Sequence, residues 1–309
     1  MEKVIKSNCE NYIKYIVTPI TPYLICNHCF STEIYSTNKK YIGIDINTLL
    51  TKKPNDLYKN KNFDEIVEGD IIQIQVDLFE LFVTTILPKI SKKIIILTSQ
   101  WRLPQIYKNI LTDKLLNNDK IILWISQNPI YEKHNKYMAF PYGLKHINLY
   151  GKNHGSVNDY MKFVKSNYNF SSNINKKEIL CYNSPIRIHN HLPETHNRNN
   201  PFLSSIELPY NEYLNKILNS KLTISISGDR DDTYRHYECI GLNSIPITDI
   251  SKKEIFGKNM IYLNMDDIVK TIKGEKEHKV YQINRDILCI DYWKNKILER
   301  YSNLISMTN

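Results

Sequence analysis

Eight short runs rich in β-branched residues, set along the chain with longer helical stretches between them, constrain this fold more than any other feature. They read YIGIDI (41–46), DIIQIQV (70–76), KIIILTS (93–99), KIILWIS (120–126), EILCYNS (178–184), LTISIS (222–227), SIPITDI (244–250) and MIYLNM (260–265). A strand with one wet face alternates apolar and polar residues, whereas a parallel strand covered by helices on both faces reads as a nearly continuous apolar run. These runs are of the second kind. Strand and helix in alternation predict an α/β architecture.

The stretch 147–177 is polar, contains Gly151 and Gly155, ends in an Asn/Ser/Lys cluster and carries no strand pattern, which predicts a connection between two halves. The sequence therefore predicts an N-terminal domain over 1–150, a connecting segment over 151–177 and a C-terminal domain over 178–309. Each half has the ordinary size of one α/β domain. Beyond Arg285, the apolar residues Ile287, Leu288, Tyr292, Trp293, Ile297, Leu298, Tyr301 and Leu304 recur at helical spacing and predict one amphipathic closing helix.

Composition narrows the class. Folding a chain of 36.5 kDa buries about three quarters of its extended surface, so a disordered, tail-like protein is excluded. The six cysteines lack framework spacing, no run of about 18 apolar residues occurs, and MEKVIKSNCENYIKYIV lacks a secretory layout. A soluble cytoplasmic protein with reduced thiols is expected. The net charge is +9, from 41 Lys+Arg against 32 Asp+Glu. The lysines are scattered rather than gathered into a stripe with interleaved aromatics, so no nucleic-acid partner is expected. Heavy use of Asn, Ile, Lys and Tyr fits an A+T-rich coding sequence, which accounts for part of the charge. The same charge keeps a non-catalytic binder of anionic glycan or nucleic acid as the alternative class.

Residues 221–248, KLTISISGDRDDTYRHYECIGLNSIPIT, carry the most chemistry. A strand leads into a polar loop, Ser227-Gly228-Asp229-Arg230, then a helix from about Asp232, then a second strand entered through Pro246. A loop leaving the carboxyl end of a parallel strand and opening a helix presents free backbone N–H groups and the positive end of the helix dipole, which suits phosphate. Arg235 and Glu238 are three apart and share a helix face. The guanidinium suits a diphosphate and the carboxylate suits ribose hydroxyls. An ordinary surface ion pair is the plainer reading of the same spacing.

Gly228, Asp229, Thr233, Tyr234, Arg235, Glu238, Gly241, Ile245, Pro246 and Ile247 together resemble the C-terminal signature of exostosin-like glycosyltransferases. Residues 68–101 and 124–144 and the closing RDILCIDYWKNKI are similar to further stretches of that family, although Gln75-Val76 and Ser99-Gln100-Trp101 depart from its pattern. The resemblance implies two Rossmann-like domains facing a cleft, the GT-B architecture. It implies inverting, metal-independent transfer from a nucleoside-diphosphate sugar of the UDP or GDP type to a glycan or other hydroxyl acceptor. The donor side would comprise Ser227, Gly228, Asp229, Arg230, Thr233, Tyr234, Arg235 and Glu238, with Arg198 brought in from the loop RIHNHLPETHNR (187–198).

In such an arrangement Asp77 and His134 are the candidate bases, since inverting transfer needs a carboxylate or imidazole near the acceptor hydroxyl. Trp101, Trp124 and Tyr142 follow strands and are candidates to stack on acceptor sugars. Asp229 and Asp231 have the D-x-D spacing of a divalent-cation site, but an Asp opening a helix is more often an N-cap. Cys26, His28 and Cys29, with Cys9 upstream, lack the second ligand pair of a structural zinc site.

Overall fold

A computed structural model of the chain describes residues 1–7, 11–30, 63–99, 106–127, 130–131, 133–146, 155–167, 176, 208–227, 231–250 and 253–306, and the backbone of 178–182. Two parallel sheets take up the predicted runs. The first holds β1 (His28–Phe30), β2 (Ile71–Gln75), β3 (Ile94–Ser99), β4 (Ile121–Ser126) and β5 (Tyr137–Ala139), in that order. The second holds β6 (Glu178–Tyr182), β7 (Ser220–Ile224), β8 (Ile245–Thr248) and β9 (Ile261–Tyr262), again in chain order. Seven of the eight predicted runs are strands, and the run at 41–46 lies outside the described residues.

The chain divides into two compact units. One comprises Ile13–Tyr142 and Cys289–Asn309 and contains the first sheet; the other comprises Met1–Tyr12 and Gly143–Leu288 and contains the second. The whole of the predicted connecting segment falls in the second unit, where Val157–Ser166 is a helix opened by a capping box between Ser156 and Asp159.

In the first unit the strand registers assign the two faces of the sheet. Phe30, Ile74, Thr98, Ser126 and Ala139 are aligned on one face, with Ile72, Ile96, Trp124 and Tyr137 one pleat earlier. Phe79 stacks on Trp124 with centroids 5.5 Å apart and Phe82 meets Phe30 edge-on at 5.4 Å, so the helical segment 76–89 covers this face. That segment is irregular, passing from a 3₁₀ turn through Phe79–Leu81 to a π turn over Phe82–Ile86. Four β-branched residues in succession, 83–86, disfavour a regular helix, and the Thr84 hydroxyl donates to the Glu80 carbonyl at 2.8 Å.

The opposite face aligns Cys29, Gln73, Leu97, Ile125 and Met138. Phe140 continues its parity and meets Trp293 of the closing helix Ile290–Ser306 at 5.6 Å. The start of that helix is tied down by an antiparallel bridge between Ile16 and Cys289 and by the Ile290 N–H donating to the Tyr15 carbonyl at 2.8 Å. Helices on both faces explain why these strands read as apolar runs.

In the second unit, helices Tyr210–Asn219 and Tyr234–Gly241 connect β6 to β7 and β7 to β8. The buried Lys176 ammonium donates to the carbonyls of Ser220 and Leu242, both at 2.9 Å. These lie just past the C-termini of the two helices, where the negative dipole ends favour a cation. Gly241 is required by close approach, because a Cβ there would lie 2.1 Å from the Tyr160 hydroxyl. Among the described residues no helix is long and apolar enough to cross a membrane.

Candidate functional site

Ligands of parallel α/β sheets bind beyond the carboxyl ends of the strands. At that edge of the second sheet, β7 and β8 run on side by side, with the Ser225 N–H donating to the Ile247 carbonyl at 2.8 Å. Ser227 then donates its backbone N–H (2.7 Å) and its hydroxyl (2.9 Å) to the Asp249 carboxylate. Gly228, Asp229, Arg230 and Arg198 lie outside the described residues.

The chain enters the Tyr234–Gly241 helix through Thr233, an extended N-cap residue whose hydroxyl makes no capping bond. That hydroxyl is buried and has no partner among the described residues. His236, fully buried one turn in, ties this entry to the end of β7. Its Nδ1 lies 2.7 Å from the Ser225 hydroxyl and its Nε2 lies 2.9 Å from the Asp231 carbonyl. A carbonyl can only accept, so Nε2 carries the proton and Nδ1 accepts from Ser225. Burial, aided by the Arg235 charge, pushes the imidazole down to about 4, so it stays neutral. The Tyr237 hydroxyl donates to Asp232 at 2.7 Å, and these bonds pin both ends from which 228–230 depart.

Arg235 and Glu238 do not form the surface pair that their spacing suggests. Glu238 is 9% exposed, and its two carboxylate oxygens accept from the Tyr210 and Tyr213 hydroxyls, each at 2.9 Å. Burial pushes its pKa up, opposed by those two bonds and by the charges of Arg235 and Lys145. Its backbone carbonyl accepts from the Tyr160 hydroxyl at 2.8 Å. Arg235, half-buried in the first turn, makes no hydrogen bond or ion pair among the described residues. Among the described residues the site thus offers a guanidinium outside any hydrogen bond or ion pair and a buried hydroxyl at a helix N-terminus, beside a carboxylate held by two tyrosines. Each carboxylate oxygen has acceptor capacity beyond its one tyrosine bond. An anion carrying a hydroxylated ring matches this set of groups.

Sequence reasoning found Arg235 and Glu238 but not Tyr210, Tyr213, Lys145, Ser225 or His236. The signal for the tyrosines was their spacing of three just after Pro209, which places both on one helix face.

The first-unit candidates are not brought together. Asp77 is exposed in the turn after β2, at the carboxyl end of the sheet, and accepts from the Gln75 amide at 2.9 Å. His134 precedes β5, so in an all-parallel sheet it lies at the amino end, opposite Asp77. Its Nδ1 faces the Lys136 N–H at 3.1 Å, and burial followed by Lys136 and Arg300 lowers its pKa. The expectation that both residues serve one site is corrected by the strand direction. Trp124 is also corrected. It is fully buried, its indole N–H donates to the Thr98 hydroxyl at 3.0 Å, and its ring packs among Phe79, Tyr131 and Tyr137. Tyr142 is 5% exposed, so its ring face is likewise unavailable to a sugar, and Trp101 lies outside the described residues.

Of the acidic loop, Asp232 is engaged by Tyr237 and Asp231 offers its carbonyl to His236. His28 lies 3.0 Å from the Asp70 carboxylate, on the other side of its strand from Cys29. Among the described residues no group of three or more His, Cys, Asp or Glu side chains is arranged to hold a metal ion. No protein-family model matches the chain, and no curated protein matches it.

Proposed function

We propose that this chain is a glycosyltransferase that uses a nucleoside-diphosphate sugar of the UDP or GDP type, with GT-B-like architecture. The second unit holds the donor at the carboxyl edge of β7 and β8. The first unit serves the hydroxyl acceptor, a glycan or similar alcohol, with Asp77 as the base. The observation that carries this reading is Arg235: a guanidinium with no internal partner among the described residues, in the first turn of a helix that starts beyond the sheet edge, three residues before a buried carboxylate. The guanidinium and the helix N-terminus receive the diphosphate, and the outer lone pairs of Glu238 receive the ribose hydroxyls. The resemblance of the Gly228 to Ile247 segment to exostosin-like transferases supports the same assignment.

Thermal-shift titration against a panel of nucleoside diphosphates and nucleotide sugars tests it. A ligand at 100 times its Kd stabilises the fold by about 2.7 kcal/mol, which a melting curve resolves readily. Arg235→Ala is expected to abolish that shift while changing the ligand-free stability by less than about 1 kcal/mol, and Arg235→Lys, without the bidentate fork, to restore little of it. Absence of a shift with every nucleotide in the panel refutes the donor assignment.

A further inference from the structure

The helix Thr21–Ile25 ends at Cys26, and β1 carries Cys29 in the same short stretch. The two sulfurs lie 3.4 Å apart, and both residues are buried, at 0% and 2% exposure. The Cys26 Sγ is 3.6 Å from the Tyr23 carbonyl, which can only accept. The Cys26 S–H can therefore donate to that carbonyl, which leaves its sulfur able to accept from the Cys29 S–H. The stretch has the residue types of a zinc knuckle, but His28 is engaged by Asp70 on the other side of the strand, and among the described residues no group of three or more His, Cys, Asp or Glu side chains is arranged to hold a metal ion.

We propose that Cys26 and Cys29 are a site of reversible oxidation, closing to an internal disulfide when the protein meets a peroxide. In the first step one thiol, as thiolate, attacks a peroxide oxygen. The O–O bond breaks, hydrogen peroxide leaves as water, and the sulfur becomes a sulfenic acid. In the second step the neighbouring thiol attacks that sulfur, the S–O bond breaks, a second water leaves and the S–S bond forms. Overall the two thiols lose two electrons and two protons to one peroxide. A water-sized oxidant suits this pair better than a bulky disulfide, which would have to lodge against buried sulfur. The second step needs the sulfurs to approach by about 1.4 Å, from 3.4 Å to the S–S bond length near 2.0 Å. Because the partner thiol is already in contact, disulfide formation outruns further oxidation of the sulfenic acid by solution peroxide.

The bond would join the end of the Thr21–Ile25 helix to β1, whose described ladder partner is β2 alone. Helix and strand are linked by backbone bonds of their own, such as the Asn27 N–H donating to the Ile71 carbonyl at 2.8 Å, so the closed form keeps the sheet register. The pair also differs from catalytic dithiols, in which the reactive sulfur sits at a helix N-terminus. Cys26 sits at a helix C-terminus and faces a carbonyl. The site is one of modification rather than of disulfide exchange with other proteins.

The test treats the reduced, folded full chain with hydrogen peroxide, alkylates the remaining thiols and measures the tryptic peptide Tyr15–Lys39, which contains both cysteines and no methionine. The expected product is lighter than the reduced peptide by two hydrogens, takes up no alkylating agent, and regains both thiols with dithiothreitol. Cys26→Ser and Cys29→Ser should each abolish that product, and their far-ultraviolet circular dichroism under reducing conditions should match that of the parent. Three results overturn the proposal: two alkylatable thiols surviving peroxide in the folded protein, added oxygen in place of hydrogen loss, or the disulfide forming only after denaturation. If a serine variant fails to fold, the parent protein alone still decides among these outcomes.

Discussion

Acid should loosen the second unit through His236, by an amount that can be calculated. Burial holds the imidazole at about 4 in the folded state, against 6.5 for an ordinary histidine. Between those values the unfolded chain binds a proton that the folded chain refuses, so stability rises with pH across the window. The contribution is present in full above about 6.5 and is lost as pH falls toward 4. At 1.36 kcal/mol per unit the whole gap is worth about 3 kcal/mol, of which about 2 kcal/mol is gone by pH 5. His146, held at about 3 by burial and by Lys145, adds a loss of the same sign, so a bare pH scan would mix the two. His236→Asn separates them. Its amide oxygen replaces Nδ1 as acceptor for Ser225, the bond to the Asp231 carbonyl is lost, and no titration remains at the position. Urea unfolding of parent and variant at about pH 7.5 and about pH 5 should show the parent's advantage shrinking by about 2 kcal/mol, while the His146 contribution cancels. A gap unchanged within about 0.5 kcal/mol would refute the view that His236 is buried neutral between Ser225 and Asp231.

Gly241→Ala should cost about 2–3 kcal/mol, because the new Cβ displaces the Tyr160 hydroxyl from the Glu238 carbonyl; combining it with Tyr160→Phe should recover about half, as a double-mutant cycle by urea unfolding would reveal. Lys176→Met should lower stability by about 2–4 kcal/mol by leaving the Ser220 and Leu242 carbonyls without their buried donor, measurable as a lower melting temperature. On the proposed function, Asp77→Asn should reduce transfer by about 10²–10⁴-fold with donor affinity unchanged, and a loss confined to donor binding would remove Asp77 from the base's role.

Long strands buried on both faces announce themselves because their environment is uniform, and seven of the eight predicted runs are strands in the structure. The three-residue β1 and β5 went unread, since HCF and YMA are too short to show any period and depend on β2 and β4 for their conformation. The closing helix was legible from its spacing, but its periodicity says only that one face is apolar. That Trp293 meets Phe140, in the unit of the first sheet, is a tertiary fact. Trp124 illustrates the same limit. An aromatic near a strand end reads equally as rim or core, and only the stacking of Phe79 and the edges of Tyr131 and Tyr137 decide for core. His134 shows a topological limit: position beside a strand is visible in sequence, but which end of the sheet it falls on depends on where the strand begins, and β5 begins only at Tyr137. Glu238 was found by its spacing from Arg235, whereas its two tyrosines lie 28 and 25 residues upstream, a separation at which no local pattern survives.

That last pairing bears on why the helix carrying Arg235 suits the proposed role. A guanidinium on a loosely held turn would lose its conformational freedom on binding, at the expense of affinity. Here the helix is fixed at three places. Its entry is held by His236 to Ser225 and Asp231, its middle by Tyr210, Tyr213 and Tyr160 on Glu238, and its exit by Arg285 donating to the Gly241 carbonyl. Its core-facing residues Tyr237, Cys239 and Ile240 are fully buried. None of these bonds involves the Arg235 side chain. The polar groups of the second unit thus immobilise the backbone beneath one cation, which makes no hydrogen bond or ion pair among the described residues. Because the Glu238 carboxylate is held by the two tyrosines rather than paired with Arg235, the backbone beneath the guanidinium is ordered before any ligand arrives, and on the proposed function an anion binding there loses little further conformational freedom of the helix.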